Sequence, residues 1–483
     1  MEKEIRNHFS ITFLNTLKST WFFLVLFVFD FIPDAEDVST PGGYPVSPLF
    51  LPILLIAAAI IVFIFQVIRW RKTYILIKDG QIIIDRRYKI MKNKTTVKIS
   101  SISSVNLKQN ILERVLNVYS IQLDINSAVT ADKTDFHLVF GQKDAAEFQK
   151  LITDLKQEAR LQTSTANDPA ESTQTGYLPV VSFPLLRVIR HCLLSISVTG
   201  MLLTLSVFTG VFTAAFFAGG DFAAEIGWAS SSILAIILII WQTLAPFLRY
   251  YKFTVIKQNN KVVISYGLLT KQQYTLPLDK TSALIIRQSL LSRIAHLYYG
   301  ELINIGMGDE ERKGNPVFCL LVNKQELETI IEQVAPAFIF SESINPSPTP
   351  ALLSVLIKYT LIGLPVLVAA IVVGYWWAGC LWLALVLLAG FASFKTKGLG
   401  LQNNNIAVTQ GVFAKKTLIT TYSRIQNIAI TDGPFSRRFG LCKGNITILA
   451  GTMNKNHSTG YFQSDKFDHV CSKMIEHQSI SLI

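Results

Sequence analysis

A chain of 483 residues that is 50% hydrophobic and only 16% charged falls well short of the roughly 25% charge of soluble domains, which excludes an all-soluble protein and calls for membrane segments. The formal net charge of +12 asks for an anionic neighbour, and without a basic recognition helix or aromatic–basic motif that neighbour is not nucleic acid. Cys192, Cys319, Cys380, Cys442 and Cys471 lie without pairing or metal spacing, which excludes a disulfide framework.

Residues 1–72 read as a helical hairpin with apolar runs at 20–32 and 48–68. A spanning helix needs about 20 apolar residues, so the first run starts nearer Ile11, with Lys18 reaching back to the headgroups. A polar module follows at 73–160. Its β-branched runs at 74–77 and 81–84, parted by Asp79-Gly80, predict antiparallel sheet. A helical stripe of Phe148, Leu151, Ile152 and Leu155 closes it. Residues 161–182 have no apolar periodicity and read as a flexible linker. A second hairpin, 183–250, carries runs at 192–218 and 228–248. The second module, 251–335, has strands at 254–256, 261–264 and 317–322. Its closing helix has the stripe Leu327, Ile330, Ile331 and Val334, after Asn323 and Glu326 at capping-box spacing. A short link, 336–350, leads to a third hairpin, 351–394, and a third module, 395–483, closed by Phe467, Val470, Cys471, Met474 and Ile475.

No Lys or Arg occurs in 19–68, 191–248 or 359–394, while Arg69, Arg71, Lys72, Arg187, Arg190, Arg249, Lys252, Lys395 and Lys397 flank the other ends. The positive-inside rule then places both termini and all three modules in the cytoplasm. Lys358 lies about 12 Å into its helix at 1.5 Å per residue. It either snorkels to the cytoplasmic interface or serves as a buried functional cation.

The modules are one sequence used three times. Lys92, Lys271 and Lys415 are separated by 179 and 144 residues. The same shifts carry Arg114 onto Arg293 and Arg437, Leu112 onto Leu291 and Phe435, and Val118 onto Leu297 and Leu441. Such register marks an internal repeat.

Paired helices, a strand-rich module with a Gly-apolar-apolar-x-Lys turn, and an Arg just before Phe-Gly resemble the membrane-anchored bacterial pleckstrin-homology-like domain family. Phe435-Ser436-Arg437-Arg438-Phe439-Gly440-Leu441 carries the likeness best, and three units in one chain place it with the three-unit members. Tyr88 departs from the pattern at the turn glycine, as do Asn117 and His296 at the position of Gly440. The resemblance implies six membrane helices in three hairpins plus three cytoplasmic α+β modules, each a β-sandwich or barrel with a C-terminal helix. It also implies a role in the bacterial inner membrane and cell envelope, a shorter single-unit companion protein, and no catalytic residues or cofactor.

The residues leave two readings open at each candidate site. Arg114, Arg293 and Arg437 either tie a loop to backbone carbonyls or bind phosphate or a partner carboxylate. The basic run Arg86, Arg87, Lys89, Lys92, Lys94 and Lys98 either meets lipid headgroups or is a solvated edge strand on which Lys discourages pairing. Lys271 and Lys415 share the register of Lys92. The histidines show no metal spacing, and no phosphate-cradling loop, nucleophile elbow or carboxylate pair points to an enzyme. The expected function is a non-enzymatic membrane protein whose modules bind partner proteins, further copies of the chain or the anionic lipid surface. The rival is a transport or efflux component, which usually places acidic residues at mid-depth; this chain has none there.

Overall fold

The computed structural model of the chain describes residues 3–30, 50–87, 92–125, 136–163, 178–217, 221–258, 260–305, 315–450 and 456–480. It divides into two compact units, one holding the first module and the other the second and third.

In the first unit, β1 (Lys3–Ile5) precedes helices α1 (Ser10–Asp30) and α2 (Phe50–Arg71). There follow β2 (Thr73–Lys78), β3 (Gln81–Arg87), β4 (Lys92–Lys98), β5 (Ile102–Gln109), α3 (Ile111–Val115), β6 (Val118–Ile125), β7 (Phe136–Gly141) and α4 (Gln142–Thr163). One antiparallel sheet runs β1-β2-β3-β4, and β5, β6 and β7 are antiparallel neighbours. Ile75, Ile82, Ile84 and Val97 meet Ile121, Leu123, Phe140, Phe148 and Ile152 in one core. The predicted stripe of α4 is therefore what covers the sheets.

The second unit begins with β8 (Leu178–Ser182), α5 (Leu185–Leu194), α6 (Val198–Phe217) and α7 (Asp221–Tyr250). The second module is β9 (Thr254–Gln258), β10 (Lys261–Tyr266), β11 (Lys271–Pro277), β12 (Thr281–Gln288), α8 (Leu290–Ile294), β13 (Tyr298–Asn304), β14 (Val317–Val322) and α9 (Lys324–Val334). After β15 (Asn345–Pro346) come α10 (Ala351–Val372) and α11 (Trp376–Thr396). The third module is β16 (Gly398–Leu401), β17 (Asn405–Gln410), β18 (Lys415–Thr421), β19 (Ile425–Thr431), α12 (Pro434–Arg437), β20 (Leu441–Ile448), β21 (Asn456–Gln463) and α13 (Ser464–Ile480). The repeat register holds in three dimensions: a 3-10 turn falls at Ile99–Ser101, Leu278–Lys280 and Tyr422–Arg424, at the shifts read from the sequence.

The second and third modules share one seven-stranded sheet, ordered β14-β13-β12-β18-β17-β16-β15. At its centre β12 pairs antiparallel with β18 over six residue pairs, from Ala283 opposite Thr420 to Gln288 opposite Lys415. The two faces of β12 then serve different cores. Leu284 packs among second-module residues such as Leu302, Phe318 and Leu327. Ala283 and Ile285 pack among third-module residues such as Val408, Leu418 and Phe467. Burial on both faces explains the unbroken apolar run Ala283-Leu284-Ile285-Ile286, where a half-buried strand would alternate. Side chains lock the seam: Thr420 Oγ1 donates to the Ser282 carbonyl at 2.8 Å, and Asn405 Nδ2 to the carbonyls of Ala337 and Ile339 at 3.0 Å each.

Several expectations are met only in part. The sheets are open, and no barrel closes among the described residues. Of the six expected spans, three meet the length and apolarity needed to cross a membrane among the described residues: Gly227–Tyr250, Ala351–Val372 and Trp376–Thr396. Each pairs within a hairpin, α7 against α6 and α10 against α11. The run at 192–218 is broken: α5 ends at Leu194 and α6 starts at Val198. Buried Val188, His191 and Cys192, and Arg190 donating to the Leu321 carbonyl at 3.0 Å, make α5 part of the second module's core. The ends of both links are strands: β8 pairs with β9, and β15 with β16. Residues 161–163 of the first link continue α4, and 164–177 lie outside the described residues. The capping box does not form: Asn323 makes no side-chain cap bond, and the Glu326 carboxylate is ion-paired to Arg187.

Candidate functional site

In the second and third modules the Gly-apolar-apolar-x-Lys turns are clamped to the module-side ends of the apolar helices. The Gly267 amide donates to the Tyr251 carbonyl and the Leu268 amide to the Leu248 carbonyl, both at 2.9 Å. In the third module Thr396 Oγ1, at the end of α11, donates to the Gly411 carbonyl. Gly267 and Gly411 have φ of +116° and +140°, and a β-carbon at either would strike the carbonyl of Thr270 or Ala414; only glycine fits both demands. Lys271 and Lys415 therefore stand at the membrane-proximal ends of their sheets. Lys271 is exposed. Burial, Arg293 and Lys324, in that order, lower the pKa of Lys415. A recurring Arg of one module and a recurring Lys of the next are thus brought together at the seam.

The recurring arginines occupy the last turns of α3, α8 and α12. The residue ending each turn, Asn117, His296 or Gly440, has φ of +52°, +53° or +62°. The departures from the motif are accordingly conformational equivalents, since Asn and His enter the left-handed region more readily than most residues. Arg437 meets a carboxylate: its Nε and Nη2 donate to Asp432 Oδ2 and Oδ1 at 2.8 and 3.0 Å. This two-pronged bond lowers the carboxyl pKa of Asp432. The helices also present large exposed apolar side chains: Ile111, Leu112 and Val115 on α3, Ile294 on α8, and Phe435 and Phe439 at α12. Ser289, the N-cap of α8, donates to the Leu194 carbonyl at the end of α5, and α12 packs beside α10. Apolar tips with an Arg at that level suit a membrane interface.

A further cluster escaped the candidate set. Lys358 of α10, Lys397 just after α11 and Lys443 of β20 share one electrostatic neighbourhood. Burial, then Lys443, then Lys358 push the pKa of Lys397 down to about 8; burial and then Lys358 lower that of Lys443. Among the described residues none of the three is ion-paired to a carboxylate. The hydroxyls of Ser347 and Ser354 are buried without a hydrogen-bond partner. Ser347 is held next to Lys397, since a β-carbon at Gly460 would meet both, and Ser354 lies one turn before Lys358. The sequence signal was Lys358 itself, a lone cation in an apolar helix, which acts electrostatically on Lys397 and Lys443.

Of the first-module basic run, Lys89 lies outside the described residues, as do the side chains of Arg86, Arg87, Lys92 and Lys94. Lys98 is exposed at the end of β4, and Arg114 on α3. Among the described residues no group of three or more His, Cys, Asp or Glu is placed to hold a metal.

The bacterial PH domain profile matches residues 23–156, 192–337 and 352–469, so that each match joins a hairpin to its module. The chain belongs to the bacterial PH domain family. Within it, the chain is a three-unit protein of the YdbT type: it is 22% identical to the UPF0699 transmembrane protein YdbT of Bacillus subtilis (strain 168), over 92% of this chain and 90% of that one. No solved structure matches it.

Proposed function

We propose that the chain is a non-enzymatic, six-helix inner-membrane protein with both termini in the cytoplasm, whose modules bind the phosphates of the anionic leaflet and dock partner proteins. A shorter single-unit relative is the partner in this reading, and cell-envelope assembly or defence against membrane-active compounds its setting. The observation that carries it is the cluster of Lys358, Lys397 and Lys443 beside two unpartnered buried hydroxyls, at the level where α10 and α11 leave the apolar zone. Like charges crowded at partial burial are costly unless an anion joins them, and hydroxyls there supply the missing donors. Transport gains less support: Gln242, a polar side chain inside a span, donates to Thr204 Oγ1 at 2.6 Å and to the Gly200 carbonyl at 3.3 Å, which fastens α7 to α6.

Native mass spectrometry of the purified full-length protein, with phosphatidylglycerol, phosphatidylcholine or inorganic phosphate added, tests the reading. At about 1 kcal/mol per lysine, phosphatidylglycerol is favoured over phosphatidylcholine by up to about a hundredfold, and the K358Q/K397Q/K443Q variant loses that preference. Equal retention of the two lipids overturns the reading. Retention of inorganic phosphate but neither lipid reassigns the site to a soluble anion.

A further inference from the structure

β12 and β19 are the same strand of the repeat, 144 residues apart, but their surroundings differ. β12 is flanked by β13 and β18, whereas β19 has β20 as its one sheet neighbour among the described residues. Exposure follows: Thr281 to Ile285 are all buried, while Gln426, Asn427, Ala429, Ile430 and Thr431 are exposed. The converse holds for β18 and β4, also equivalent. Leu418, Ile419 and Thr420 of β18 are buried; Thr95 and Thr96 of β4 are exposed, and β3 is the one sheet neighbour of β4 among the described residues. One end of the repeat thus offers a free strand of the β18 kind, and the other a free strand of the β12 kind.

We propose that β19 pairs antiparallel with β4 of a second copy of this chain, in the register that β12 makes with β18. Shifting that register by the repeat lengths sets Asn427 opposite Val97, Ala429 opposite Thr95, Ile430 opposite Lys94 and Asp432 opposite Lys92. Lysines on β4 are no bar, because β18 pairs along its length with Lys415 and Lys416 in it. Nor is β19 guarded: Ile425-Gln426-Asn427-Ile428-Ala429-Ile430-Thr431 contains no Lys, Arg or Pro, the usual protection of an exposed edge. The register also suits one membrane plane, since Gln288 and Lys415 both lie at the membrane-facing end of the seam, and copying it keeps the hairpins of both chains level. With Thr, Asn and Ala replacing the Leu and Ile of the existing seam, backbone bonds lead the association and it is reversible. The contact joins unlike surfaces, so it builds rings or rows.

Two differently tagged, cysteine-free full-length chains, one carrying A429C and the other T95C, are co-expressed and oxidised in native membranes. The expected result is a disulfide between the two tags, and its loss when T95C is replaced by the off-register K98C. A link only within a single A429C/T95C chain, an A429C–A429C link, or no link at all overturns the proposal. Should the cysteine-free chain not fold, light scattering of the wild type in detergent serves instead. Assemblies larger than the monomer that A429P abolishes are expected; a wild type that stays monomeric at every concentration overturns the proposal.

Discussion

His191 lies edge-on to the rings of Tyr250 and Tyr299, with centroids 5.1 and 5.4 Å away, and burial pushes its pKa down to about 4. In the unfolded chain it titrates near 6.5. Between these values the unfolded state holds a proton that the folded state refuses. Stability is therefore full above about pH 6.5 and falls as pH drops toward 4, by about 3 kcal/mol. Thermal unfolding of the detergent-solubilised protein should show this loss between pH 7 and pH 4.5, and H191F should flatten it. If the variant keeps the full slope, other groups cause it. The left-handed position makes a second residue-level prediction. A left-handed residue with a side chain costs roughly 1–2 kcal/mol, so H296G should raise the melting temperature and G440A lower it. Opposite signs at the two sites are the outcome to look for, and equal signs refute the equivalence.

β12 shows at the level of an element what the sequence disclosed and what it concealed. The repeat itself was legible, because the shifts of 179 and 144 are local facts, but β12 was not among the strands read at 254–256, 261–264 and 317–322. That Ala283 and Ile285 belong to the next module's core was not legible, since two-sided burial and a plain buried strand write the same apolar run. The same holds for the site. The recurring Lys and Arg stood out by register, but Lys397 and Lys443 converge on Lys358 only through folding, and Arg437 meets the Asp432 carboxylate. I285A should thus cost about 2–5 kcal/mol and act across the seam. Hydrogen exchange should quicken in β17, β18 and β20 of the third module at least as much as in β13. Loosening confined to the second module would mean that the shared core contributes nothing.

At the scale of the molecule, the second and third modules behave as one folding body, contrary to a row of self-sufficient domains. β12 is completed by β18; Ser282 Oγ donates to the Leu449 carbonyl at 2.5 Å, and Arg424 Nη2 to the Asp279 carbonyl at 2.6 Å. Truncation after residue 346 would bare Ala283, Ile285 and Ile303, which are all buried in the third module's core. It would also leave an unpaired apolar edge, a template for aggregation. The expected outcome is that residues 1–346 yield no monodisperse species in detergent, whereas the full chain does, although the cut falls in a Pro/Ser link between modules. Co-expressing residues 347–483 as a separate polypeptide should rescue it, because the seam supplies its own register. A stable, protease-resistant 1–346 fragment would show instead that the seam is an optional contact between domains that fold alone.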